Sequence, residues 1–508
     1  MTRPPAPAHL GRTSIHAAVV ALALCAGSAF AQDAAAPSGD LAARLREQQQ
    51  QLEQQRLELE RQRQALEQQQ RQLEALAAAL EQQMKGAPPA AAAATATAQG
   101  QQPGAPAGAA AATPGEAQAS ASGRGSLRWA GYGEMSYQRY DFYANTQTAK
   151  ATERGRTDIG RFVLSPHMNL GGKWSLFGEI EFEHGGTGST VEYEAEETGE
   201  YEAEIEKGGE IVLEQLWLQY SHSPALNVRF GELVVPVGMV NLYHQPTEFF
   251  TIERSLAETS LIPSVWHETG VQVLGTIGQL RYQVLGVTAL DSTGFSGHEF
   301  VRGGMQRKLE TKNADAFAFA AHAEYAFAPG VLVGGAFYAG DSAPNRPRQN
   351  LSAKAFVTLG EVHGRYEVGP WTVRGQVLLG QVQNSRKVTQ ANFNTFNGGV
   401  LGVSRTPVGK RAKSFFVEAG YDVLSLWANG GVPGRLDLFA RYEDYDTHAD
   451  TAPGIARVPR YHRKAATVGL NYKPQPGIVI KGEYSRRSND GLIADKQDVL
   501  GVAAGFEF

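Results

Sequence analysis

From Leu127 to Phe508 the chain divides into sixteen segments that alternate an apolar residue with a small or polar one, the first near Leu127–Tyr140 and the last near Gln497–Phe508. A period of two places successive side chains on opposite faces of a strand, so each segment has one apolar and one polar face. The connections then decide between architectures. Gly171-Gly172, Ile277–Gln279 and Val368–Pro370 are tight turns, and long connections such as Gly185–Gly209, Pro236–Glu268, Leu290–Asp315 and Gln383–Lys413 fall between them. A sheet that closes on itself, with short turns at one end and long loops at the other, has this rhythm; a soluble sandwich does not. No stretch after the first thirty residues is apolar over the length a membrane helix requires, about 20 residues. Lipid-facing backbone must have its polar groups paired internally, so a membrane location for this chain implies a barrel. The expected fold is therefore all-β, a 16-stranded antiparallel transmembrane barrel over residues 126–508.

The N-terminal region has a different character. Arg3 and Arg12 precede an apolar run from Ala17 to Ala26, and Ala29-Phe30-Ala31 is a small-x-small cleavage signal, so residues 1–31 read as a signal peptide for export. The single cysteine, Cys25, lies in that segment, leaving the exported chain without a thiol, disulfide or cysteine ligand. Residues 32–85 hold Leu45, Leu52, Leu59, Leu66, Leu73 and Leu80 at a strict interval of seven, with Gln48, Gln55, Gln62 and Gln69 on the companion stripe. That pattern predicts a helical coiled coil whose core is half polar. Residues 86–125 are Ala, Pro, Gly, Thr, Ser and Gln, a composition that cannot bury a core and reads as a tether. An even strand number puts both barrel ends in the periplasm, and the coil with them.

Charge location says more than the net charge of −5, which implies no nucleic-acid partner. In Trp371-Thr372-Val373-Arg374-Gly375-Gln376-Val377-Leu378-Leu379 the Trp371, Val373, Val377 and Leu379 set faces lipid, so Arg374 and Gln376 face inward. A mid-strand charge is costly against lipid and cheap against water. The same reasoning directs Arg161, Arg229, Arg281, Arg441, Arg463 and Lys481 into the lumen with Glu179, Glu181, Glu183, Asp437, Glu443 and Glu483. Either the cations line a route for anions, or they pair with the inward carboxylates and screen one another. The nine glutamates between Glu192 and Glu210 read as a solvated outer loop.

The connection after Val234 is too apolar for an exposed loop. It carries Phe249, Phe250, Ile252, Leu256, Leu261, Ile262 and Trp266, and is expected to fold into the barrel and narrow it.

Three stretches in and around it are distinctive: Arg229-Phe230-Gly231-Glu232-Leu233-Val234-Val235-Pro236-Val237-Gly238, Phe250-Thr251-Ile252-Glu253-Arg254-Ser255 and Gly270-Val271-Gln272-Val273-Leu274-Gly275. In that order they resemble the R-x-G-Q-F-K-x-P-F-G stretch, the F-x-E-R-S element and the G-V-x-x-x-G strand of the phosphate-selective porins O and P. The resemblance implies a sixteen-stranded, usually trimeric channel whose lumen attracts anions. Pro236, Gly238, Phe250, Glu253 and Arg254 are the candidate residues of the constricting loop. Of these, Pro236, Gly238, Glu253 and Arg254 read as shaping it, with Arg254 facing the permeant as the alternative. Val234 stands where the family has a lysine and Glu232 where it has a glutamine, which makes this constriction less positive.

Two functions follow as expectations. One is an outer-membrane porin for passive diffusion of small hydrophilic solutes or anions, phosphate among them. The other is an outer-membrane anchor that tethers the envelope by a cell-wall contact of the coiled coil. No enzyme is expected: His244, His267 and His462 lack a Ser/Asp partner at a catalytic spacing. The twelve histidines show no spacing of a metal-ligand set, so no cofactor or metal is assigned.

Overall fold

The computed structural model describes residues 125–143, 151–185, 192–194, 202–204, 209–306, 311–396, 406–427, 432–491 and 497–508. The expected signal peptide, coiled coil and tether lie outside the described residues.

Sixteen strands form one closed antiparallel barrel: β1 Leu127–Phe142, β2 Thr152–Gly171, β3 Trp174–Glu183, β4 Glu210–Ser223, β5 Leu226–Val234, β6 His267–Ile277, β7 Leu280–Thr288, β8 Phe317–Ala328, β9 Val331–Asp341, β10 Phe356–Val368, β11 Trp371–Val382, β12 Arg411–Asp422, β13 Arg435–Asp450, β14 His462–Lys473, β15 Ile478–Asn489 and β16 Gln497–Glu507. Each corresponds to one of the alternating segments. Every strand pairs with its sequence neighbours, and β16 closes on β1 with Val502 opposite Tyr137 and Phe506 opposite Gly133. Closure leaves no unpaired edge, the condition for a sheet in lipid. Glu192–Glu194 and Glu202–Glu204, inside the glutamate run, pair as a separate two-stranded hairpin.

Most turns at one end are minimal. Gly278 and Gly369 hold φ of 61° and 60°, a left-handed conformation that glycine adopts without steric cost. The outer face bears the apolar side chains: Trp371, Val377 and Leu379 on β11 are exposed, and Arg374 and Gln376 between them are buried inward. Trp129, Trp174, Tyr325, Phe327, Trp371 and Phe508 are exposed near the short-turn end, a belt of the kind that marks a lipid–water boundary.

The core of this protein lies inside the barrel. Val287, Ala320, Tyr338, Leu359 and Leu378 point inward from neighbouring strands and pack against Leu261, Ile262, Trp266, Phe295 and Phe300 from two long connections. Toward their long-loop ends those strands are apolar on both faces, one against lipid and one against folded-in loop.

Candidate channel constriction

The connection Val235–Trp266 turns into the lumen as expected. Its neck is closed by the Val235 N–H donating to the Trp266 carbonyl at 2.8 Å. The chain then passes Pro236 and Gly238 into a short helix, α1 Met239–Leu242, and a second, α2 Leu256–Thr259. Glu258 on α2 is fully buried and accepts from the Val240 and Asn241 N–H groups at 3.0 and 3.3 Å, so one carboxyl caps α1 and ties the two helices together. Burial pushes that carboxyl up to about 8. A Cβ on Gly238 would lie 2.2 Å from Glu258 Oε1, and its φ is 94°, so glycine is required twice over.

The far side of the loop is bolted to the wall. Gln376 accepts from the Met239 N–H at 2.7 Å, Glu483 from the Ile252 N–H at 2.7 Å, and Glu443 from the Ser255 hydroxyl at 2.7 Å. Asn471 donates to the Phe250 carbonyl at 2.9 Å and Lys473 to the Thr247 carbonyl at 2.6 Å. Phe250 stacks on Phe439 at 5.2 Å between ring centres, and Trp266 meets Tyr338 at 4.7 Å. Backbone groups that an inward loop would otherwise leave unpaired are thus satisfied by wall side chains.

The inward charges separate into two groups. Beneath the loop, Arg374 and Arg441 flank Glu418, with Arg374 Nε 2.7 Å and Arg441 Nη2 2.6 Å from its oxygens, and all three are nearly sealed from water. Lys481 donates to the Thr251 carbonyl at 2.7 Å with its ammonium 3.8 Å from the Phe249 ring centre. Asp437 accepts from Arg435 at 2.8 Å, and Arg463 donates to the His298 carbonyl at 2.6 Å.

The other group borders space. A cavity of about 500 Å³ on the short-turn side is lined by Glu179, Gln215, Arg229, Pro236, His244 and Gln272. A second, of about 580 Å³, opens on the long-loop side and is lined by Glu134, Arg156, Arg161, Glu183, Glu253 and Arg254. The loop contributes Pro236 and His244 to the first and Glu253 and Arg254 to the second, so it divides the lumen. Arg161 sits 2.8 Å from Glu134 and 3.8 Å from Glu181, and Arg229 donates to Gln219 at 2.6 Å beneath Trp217. Arg281 is 3.7 Å from Glu324 and borders a smaller cavity of about 270 Å³. Glu179 accepts from Gln215 and lies 3.8 Å from His244. Glu253 accepts from Arg487 at 2.7 Å, and Arg254 donates to the His244 carbonyl at 3.2 Å.

At Glu232, where the resemblance made the constriction less positive, Lys312 from the next long connection makes an ion pair and His267 lies 2.6 Å away. Sequence reasoning passed over Lys312, Glu258 and Glu418. It also passed over the second inward connection, though Phe295, Phe300, Val301 and Met305 carry the same apolar signal as the first.

A curated but uncharacterized protein of Aquifex aeolicus (strain VF5) is 26% identical over 298 residues, 58% of this chain and 64% of that one, so the match spans less than two thirds of its length. Among solved structures, an anion-selective porin from Comamonas acidovorans covers 76% of this chain and 100% of its own at 12% identity, with a TM-score of 0.44. The OmpF of Salmonella typhi, in complex with daunomycin, covers 76% and 98% at 11% identity, with a TM-score of 0.47. The family model for the phosphate-selective porins O and P matches residues 131–508, the whole barrel but its first few residues, and this chain belongs to that family.

Proposed function

We propose that this barrel is an outer-membrane channel for passive diffusion of small hydrophilic solutes. The observation that carries the reading is the inward loop with a cavity on each side: a plug would fill the lumen, whereas this loop is fastened mainly to β11 to β15 and leaves space bordered by residues of β1 to β5. Family membership supports it. A water-lined passage needs no binding energy at any one point, and a narrow polar constriction selects by size before it selects by charge.

Charge selection is the finer part of the proposal. Around the long-loop cavity Arg156, Arg161, Arg254 and Arg302 face Glu134, Asp158, Glu183, Glu210 and Glu253, a nearly balanced set. Opposed rows screen each other, so selectivity is weak, and a preference for anions such as phosphate rests on Arg156, Arg161 and Arg254. The heptad segment of residues 32–85 would act as a periplasmic assembly or tethering device for a trimer. Planar-bilayer recording of the full chain tests the reading. Conductance with a small anion-directed reversal potential in a salt gradient is expected; absence of conductance removes the channel, and a strong cation-directed potential removes the anion preference.

A further inference from the structure

On the inner wall of β8, β9 and β10 the register builds a cluster that the channel reading does not use. Glu324, Gly334 and His363 lie side by side across the three strands, and His322, Ala336 and Glu361 form the adjacent row. The central strand contributes only glycine and alanine, so the long side chains on either side reach over it and meet. His363 Nε2 lies 3.1 Å from Glu324 Oε1, and His322 Nε2 is 3.7 Å from the same oxygen. A Cβ on Gly334 would sit 2.4 Å from His363 Nε2 and 2.7 Å from Glu324 Cγ, so the missing side chain makes the juxtaposition sterically feasible.

Two features point to a ligand. His322 is 3% exposed, yet both its ring nitrogens lack a hydrogen-bond partner. A buried imidazole retained with no partner is costly unless something else takes its lone pair. Secondly, one ligand atom from each of His322, Glu324 and His363 can be chosen so that all three lie within 4.8 Å of one another. We propose that these three residues bind a divalent transition metal of the zinc type. Two imidazoles with one carboxylate favour such an ion over calcium or magnesium, which prefer oxygen alone.

The surroundings fit a metal-ligating histidine. Glu361 Oε1 is 2.8 Å from His363 Nδ1, the outer-shell carboxylate that orients the ring and leaves Nε2 for the ion. The Tyr243 hydroxyl of the inward loop donates to Glu324 at 2.6 Å, which connects the site to α1 of the constriction. Gln283, opposite His322 on β7, borders both the 500 and the 270 Å³ cavities, so the cluster lies one residue from the lumen.

The test uses the full chain, purified without a histidine tag, folded in detergent and stripped with a chelator. Titration with Co2+ followed by absorption, and with Zn2+ followed by calorimetry, is expected to give one ion at this site with nitrogen and oxygen ligation. His322→Gln removes no existing hydrogen bond, so the variant keeps its barrel, checked by its heat-dependent gel shift, and should lose affinity at least tenfold. Glu361→Gln should lose roughly tenfold, the usual effect of removing an outer-shell partner. A folded wild-type barrel that takes up no Zn2+ or Co2+ at micromolar concentration overturns the site. So does unchanged affinity in His322→Gln, which would place the ion elsewhere.

Discussion

Two sectors of the same wall, built from strands of the same pattern, do different work. On β10 to β15 the inward polar residues hold the constricting loop: Gln376, Glu443, Asn471, Lys481 and Glu483 each bond its backbone or hydroxyl groups, and Glu418 sits between two arginines out of reach of water. On β1 to β3 Glu134, Arg161 and Glu183 border the long-loop cavity. The same residue types, at the same position in the alternation, are bolts in one sector and lumen lining in the other. Covering decides, because a charge sealed from water depends on its partner, whereas a hydrated one is screened.

The comparison breaks most decisively at Glu418. Glu418→Ala takes from the buried Arg374 and Arg441 the carboxylate that pairs with both and should destabilise the barrel by about 3–5 kcal/mol, measurable as a lowered thermal unfolding midpoint in detergent. A loss below about 1 kcal/mol would show that water reaches this pair after all.

A smaller effect should come from the loop's internal clasp. Glu258 has its carboxyl raised from an ordinary 4.5 to about 8 by burial, so the seated loop binds a proton more tightly than an unfolded chain does. Its contribution is therefore complete below pH 4.5 and is lost as pH climbs through about 8. Proteolysis within Val235–Trp266 should be several-fold faster at pH 9 than at pH 6, and Glu258→Gln should flatten that dependence. An unaltered pH profile in the variant would assign the effect to another group.

The smallest stability change, and the sharpest test of the two sectors, pairs two double substitutions. Arg156→Gln with Arg254→Gln should shift the reversal potential toward cations while moving stability by only about 1 kcal/mol. Arg374→Gln with Arg441→Gln should do the reverse, lowering stability and leaving the reversal potential in place. Equal shifts from both pairs would mean that the loop does not seal its sector.

Much of this architecture was legible in the residues. The sixteen strands follow from local alternation, since a period of two needs only neighbouring positions to be recognised. The inward loop was legible because Phe249, Phe250 and Trp266 could not remain exposed. Even the apolar inner face left a trace: Val377-Leu378-Leu379 interrupts the alternation, and Leu378 is fully buried against folded-in chain. What stayed hidden was pairing across long separations. Ser255 and Glu443 are 188 positions apart, and His322 and Glu324 meet His363 only because Gly334 lies on the strand between them.

The sequence by itself determined a closed barrel, its strand number, the face each strand gives to lipid, and a loop that must turn inward, because each rests on periodicity or on the hydrophobicity of a short stretch. Only the tertiary structure decided which inward charges meet water, which carboxylates fasten the loop and which histidines share a corner. Those outcomes depend on register across several strands and on where one loop lies in the lumen, and neither is encoded in any single segment.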